Sequence, residues 1–114
     1  MPRFAILDHD YPAAHWDLFL ESGDSLHSWR LLAPLQPGIT VPAEPTGDHR
    51  LLYLDYEGPV PGDRGTVVGV DRGTFAPEGD DPELVSIRLA GQRFVGRITL
   101  WRTPDGWACR YDPE

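Results

Sequence analysis

Two imidazoles and a carboxylate sit at the spacing His9-x5-His15-x-Asp17, a set that can close around one divalent ion. Two nitrogen ligands and one oxygen ligand suit a borderline first-row cation such as Mn²⁺, Fe²⁺ or Zn²⁺. Three protein ligands leave positions for water or substrate, as a hydrolytic metal requires. The competing reading is that these are ordinary residues on the polar face of a strand, and spacing alone does not separate the two. A second group lies in Asp48-His49-Arg50-Leu51-Leu52-Tyr53-Leu54-Asp55-Tyr56-Glu57-Gly58. A histidine such as His49 can donate to a phosphoryl oxygen or protonate a leaving alkoxide, and the Tyr53 hydroxyl can orient or stabilise an oxyanion. Here the competing reading is that Tyr53 and Tyr56 pack in the core while His49 opens a strand.

The elements that must position these groups read as strands. His15 to Glu21 alternates polar or special residues with large apolar ones, so His15 and Asp17 share a face. A turn at Pro12-Ala13-Ala14 after a strand near 3–8 brings His9 back alongside His15. Further strands are expected near 26–32, 49–56, 65–71, 83–90, 93–101 and 106–111, and in the 49–56 strand His49 and Tyr53 share a face. Ser22-Gly23-Asp24-Ser25 and Thr103-Pro104-Asp105-Gly106 are turn signals. Pro34 to Thr46, with four prolines, reads as a long surface loop, and Ala76 to Pro82 as a second loop whose acidic run is a solvated tip. Short strands punctuated about every ten residues, with no convincing helical period, predict an all-β fold, a small barrel or sandwich.

At 114 residues the chain fits one domain, 1–114, with a modest core. No stretch approaches the roughly 20 apolar residues of a membrane span. The N-terminus lacks the features of a signal peptide, so a cytoplasmic location is expected. Cys109 is the single cysteine, which excludes an internal disulfide, and its apolar setting reads as core. Net charge is −8 with no lysine, and residues 1–57 hold nine acids against three arginines. That field attracts a cation and repels a polyanion, so a nucleic-acid partner is disfavoured by charge.

Taken together, the motifs resemble the 3′-phosphoesterase domain of bacterial DNA ligase D and its stand-alone relatives. That family carries a His-Asp-x4-His-Tyr-Asp-x-Arg-Leu-Glu run, matched by His9-Asp10-x4-His15-Trp16-Asp17-Leu18-Phe19-Leu20-Glu21. Its Ser-Trp pair appears as Ser28-Trp29, and its His-Pro-x-x-Tyr-x-x-Phe-Glu-Gly run as His49-x3-Tyr53-x-x-Tyr56-Glu57-Gly58. Val60-Pro61-Gly62, Val70 to Phe75 and the closing Gly96 to Trp107 pattern follow in the family's order. The resemblance implies a small β-barrel of about eight mostly antiparallel strands, with a cleft holding manganese. It implies a hydrolase, a phosphoesterase or nuclease, that removes a terminal ribonucleoside or a 3′-phosphate from DNA or RNA 3′ ends in repair, with a ligase or polymerase as a partner. By the same transfer, His9, His15 and Asp17 are the metal ligands, His49 contacts the scissile phosphate, and Tyr53 stands beside it.

Several of the family's phosphate-contacting residues differ here. The arginine two residues past the metal aspartate is Phe19, and the lysine after Ser-Trp aligns with Ala33 or Pro34. The arginine eight residues before the second-motif histidine aligns with Val41, the glutamate two before it with Gly47, and the glutamine two before the first histidine with Leu7. A phenyl ring cannot replace the charge-assisted hydrogen bonds of a guanidinium. Three readings remain: a phosphoesterase that draws its cation from Arg30, Arg50 or Arg64; a divergent metal-binding barrel serving as a binding or partner module; and a barrel in which the triad is structural.

Overall fold

The alternating pattern of the first thirty residues folds as three consecutive antiparallel strands, β1 (Arg3–His9), β2 (His15–Ser22) and β3 (Ser25–Leu31). They are followed by β4 (Thr40–Arg50), a 3-10 turn at Leu51–Leu54 and a two-residue β5 (Gly58–Pro59). Then come β6 (Thr66–Asp81), β7 (Leu84–Gly91), β8 (Val95–Thr103) and β9 (Gly106–Pro113). The computed structural model describes residues 1–114, the side chain of Asp80 apart. The sheet runs β1-β2-β3-β4-β9-β8-β7-β6 and closes because β6 also pairs with β1, giving an eight-stranded antiparallel barrel with β5 attached to β6. Closure removes the unpaired edges that an open sheet would expose. Among the described residues, no helix is long and apolar enough to cross a membrane.

Every barrel strand contributes to the interior: Phe4, Ile6, Leu18, Leu31, Ile98 and Leu100 are among its fully or nearly fully buried members. Cys109 lies there too, as a small core residue. Because successive side chains alternate faces, the other residues of β1 and β2 point outward. On most of the barrel that face meets solvent, yet here Ala5, Leu7, Phe19 and Leu26 are buried again, with Leu54 and Val67, beneath the segment that follows β4. This outer cluster is much smaller than the interior one. It seats the 51–60 segment against the wall, and the polar residues on the same face are those of the site.

Three expectations are corrected. Residues 40–46 belong to β4 and not to a loop, despite Pro42 and Pro45. The pairing explains the tolerance: Thr40 to Ala43 pair with β9, whereas Ala43 to Arg50 pair with β3. Pro42 pairs with β9 alone, opposite Ala108, and Pro45 flanks the bulge in the β3 ladder, a position where proline is tolerated. Residues 76–81 likewise continue β6 and pair with β7, the ladder being offset only between Glu78 and Asp81. Glu78 is accordingly no solvated tip, since its carboxylate meets Arg97 at 3.0 Å and Arg88 at 3.6 Å. Finally, the expected 49–56 strand ends at Arg50, and Leu51–Leu54 forms a 3-10 turn. Its three-residue period sets Leu51 and Leu54 on one side, against the outer cluster, which an extended strand would not do. The turn after β7 is pinned by Asp71, whose carboxylate accepts the backbone N–H groups of Gln92, Arg93 and Phe94.

Candidate metal centre and its pocket

The register of the first hairpin sets His9 directly opposite His15 and Leu7 opposite Asp17. All three polar residues therefore share the outer face, and one ligand atom from each falls within 4.8 Å of the others. Each imidazole is anchored through its other nitrogen: His15 Nδ1 lies 2.8 Å from the Ala13 carbonyl, and His9 Nε2 lies 2.7 Å from the Arg64 carbonyl. A carbonyl only accepts, so those nitrogens carry the protons. In the neutral rings, His15 Nε2 and His9 Nδ1 are then bare lone pairs, aimed at Asp17 Oδ1 (3.0 Å) and Oδ2 (3.3 Å). Acceptors facing acceptors repel, and with His15 buried and the others largely so, water screens them poorly. Only extra protons or a cation among them removes the repulsion. A divalent ion fits this donor set, and carbonyl anchors on the distal ring nitrogens are what orient metal-binding histidines.

The Arg64 carbonyl is itself held. Asp10 accepts the Thr66 N–H at 2.7 Å, and Val60 N–H donates to the Gly65 carbonyl at 2.8 Å. Gly65 has φ +79°, and a Cβ there would run into the Asp10 carboxylate and Tyr11. Glycine is the residue this approach requires.

His9 and Asp17 open onto a cavity of about 210 Å³ that is also lined by Phe19, His49 and Tyr53. His49 and Tyr53 meet there although they belong to different elements, β4 and the 3-10 turn. Their rings meet edge-on with centroids 6.3 Å apart, and Phe19 packs against both, its ring centroid 5.3 Å from that of His49 and 6.3 Å from that of Tyr53. The Ser28 hydroxyl stands 2.6 Å from His49 Nδ1, which occupies that nitrogen and leaves Nε2 available. Tyr53 packs edge-on against Tyr56, whose hydroxyl donates to the Pro59 carbonyl. Arg72 straps this segment to β6: its Nε donates to the Leu54 carbonyl at 2.6 Å and its Nη1 to Glu57 at 3.2 Å. The Gly69 N–H on the Glu57 carboxylate, with Arg72 beside it, holds that carboxyl below its ordinary range.

Of the arginines considered as replacement cations, Arg30 and Arg64 line the cavity and Arg50 does not. Sequence reasoning gave no role to Thr46, which also lines it, or to the contact of Ser28 with His49. The parity of β3 could have placed Ser28 on the outer face, since it pairs with Phe19. Thr46 could not have been placed that way, because it falls at the β4 bulge.

A closed antiparallel barrel with its polar site on the outer wall, roofed by a short segment, defines a small all-β domain of specific type. Residues 7–102 match the family model of the DNA Ligase D 3′-phosphoesterase domain, and the chain belongs to that family. It is similar to the "Multifunctional non-homologous end joining protein LigD" of Pseudomonas aeruginosa, at 34% identity over 111 residues. That match covers 89% of this chain and 13% of that protein, so the chain spans a small part of the relative's length.

Proposed function

We propose that this chain is a metal-dependent phosphoesterase that processes the 3′ ends of DNA or RNA, removing a 3′-phosphate or a terminal ribonucleoside during repair of broken DNA. The observation that carries this reading is the convergence of His9 Nδ1, His15 Nε2 and the Asp17 carboxylate, with both distal nitrogens fixed by backbone carbonyls. Those three residues would hold the ion, for which Mn²⁺ is our assignment. When bound, it supplies a Lewis acid for a phosphoryl oxygen and lowers the pKa of a coordinated water. His49 Nε2 donates to the phosphoryl oxygen or to the leaving oxygen, and Ser28 fixes its ring. The Tyr53 hydroxyl orients the terminal group. Family membership supports the substrate class, and the end-joining name of the Pseudomonas aeruginosa relative supports the setting. We further propose a ligase or polymerase as partner and the cytoplasm as location. The net charge of −8 opposes an extended nucleic-acid track, so recognition is confined to the terminus.

The test is turnover of a DNA primer bearing a 3′-phosphate or a terminal 3′-ribonucleotide with Mn²⁺. Wild type is expected to act on at least one of them, and His9→Ala and His49→Ala to lose about two or more orders of magnitude. Equal turnover by all three proteins would overturn the reading. A second reading, a metal-binding partner module without hydrolysis, is favoured by the burial of Phe19 at 4% exposure beneath His49 and Tyr53. It is distinguished by metal binding without turnover.

A further inference from the structure

Among the described residues, two arginines line the pocket without a carboxylate partner, Arg30 and Arg64, and the Arg64 Nε–H already donates to the Pro61 carbonyl at 2.7 Å. Arg30 on β3 is the direct cross-strand partner of Asp17 on β2 and of Glu44 on β4, so it stands on the outer face beside the metal cluster. Carboxylates neighbour it on both strands, yet among the described residues Arg30 enters no ion pair within 4.0 Å. Arg3, Arg72, Arg88, Arg97, Arg102 and Arg110 each do. Arg30 Nε is buried with no hydrogen-bond partner, and so is the hydroxyl of Thr46. Both residues line the same cavity as His9, Asp17 and His49. Two buried, unsatisfied polar atoms in one pocket cost free energy unless something fills them, because the desolvation of each goes uncompensated.

We propose that Arg30, with the Thr46 hydroxyl, forms the phosphate-binding subsite of this pocket, holding the terminal phosphoryl group of the substrate against the metal cluster. This rests on the phosphoesterase reading and names the residue that positions its substrate. The chemistry is well matched: a guanidinium presents a planar fork of donors that grips two phosphate oxygens at once, and a threonine hydroxyl adds a third donor. Such a site also answers the charge problem. The chain is acidic overall, but Arg30 reaches the pocket with no carboxylate within ion-pair distance, and the Asp17 carboxylate faces the two histidines. A phosphate at the end of a strand is attracted locally while the rest of its backbone is not. The cavity of about 210 Å³ falls below the ~300–1,000 Å³ usual for drug-sized ligands, which suits a terminal group better than a whole nucleotide.

The test uses inorganic phosphate as probe on the full chain without metal, followed through the Arg30 Nε–H signal by nuclear magnetic resonance. Addition of phosphate is expected to shift that signal in the wild type. Arg30→Met is expected to weaken phosphate binding about tenfold or more, and Thr46→Val less, while Arg50→Met, outside the pocket, binds as wild type does. With Mn²⁺ present and a 3′-phosphate primer, Arg30→Met should raise KM more than it lowers kcat and leave Mn²⁺ affinity unchanged by calorimetry. An Arg30 signal unmoved at saturating phosphate overturns the proposal without recourse to any variant, as does a folded Arg30→Met that binds phosphate like the wild type. Loss of Mn²⁺ binding in the wild type would instead strike the phosphoesterase reading, so the two failures are told apart.

Discussion

His9 Nε2 rests 2.7 Å from the backbone carbonyl of Arg64, a residue fifty-five positions later in the chain. One half of the candidate metal site is thus oriented by a loop that no local spacing announces. The loop is in turn held by Asp10, adjacent to His9, through the Thr66 N–H.

Gly65→Ala tests that support. The new methyl group would run into Asp10 and Tyr11 at a backbone with φ +79°, so the Arg64 carbonyl must move. Outer partners of metal-binding histidines are worth about 10–100-fold in affinity. A loss of roughly tenfold or more in Mn²⁺ affinity is expected by titration calorimetry; unchanged affinity would show that the Arg64 carbonyl is dispensable.

Phe19 is expected to matter for stability first. It is buried at 4% exposure in the outer cluster and packs against both His49 and Tyr53. Truncation of a buried phenylalanine costs about 3–5 kcal/mol. Phe19→Ala should therefore shift the urea midpoint markedly downward. Phe19→Arg would add a third cation to the pocket, beside Arg30 and Arg64, and if pocket charge limits turnover it should increase 3′-end processing per folded molecule. Unchanged activity would argue that the surrounding contacts matter more than the charge.

The strap from Arg72 to Glu57 has a pH signature. The Gly69 N–H and Arg72 hold the folded-state Glu57 carboxyl below its ordinary value, so its stabilising contribution is present above the usual carboxylate range. It is lost as pH falls through the depressed value. The gap in melting temperature between wild type and Glu57→Gln is expected to be open at pH 7 and to narrow on acidification. A gap that does not depend on pH would contradict the assigned role.

Cys109 is fully buried, and burial pushes its thiol up to about 12. The thiolate is the reactive form. At pH 8 a thiol reagent should leave the native protein unmodified and label it stoichiometrically in denaturant. Rapid native labelling would mean that the core opens readily.

What the sequence disclosed follows from how local each determinant is. The β1–β2 hairpin was legible because period-two alternation and a proline turn are local, and they sufficed to oppose His9 and His15. The all-β class and the turns at Gly23-Asp24 and Pro104-Asp105 were legible for the same reason, whereas the choice of a barrel over a sandwich rested on the family resemblance. β4 was hidden because its prolines are accommodated where the strand changes neighbour from β9 to β3, Pro42 opposite Ala108 and Pro45 opposite Trp29 beside the bulge, which is a tertiary arrangement. The 3-10 turn carrying Tyr53 was hidden as well, since an apolar surface on the outer wall, assembled from β1, β2 and β3, draws Leu54 inward. His49 and Tyr53 do share a pocket and meet edge-on, but through that turn, not along a common strand face. Arg30 was visible as a free cation in the sequence, but its place opposite Asp17 needed the register of β2 with β3.

Whether His9, His15 and Asp17 hold one divalent ion is decided by Mn²⁺ titration of the wild-type chain against Asp17→Ala, with circular dichroism to verify the fold of each. One ion is expected per wild-type chain and none on a folded Asp17→Ala variant. No binding by the wild type at millimolar Mn²⁺, or equal binding by both proteins, would contradict it.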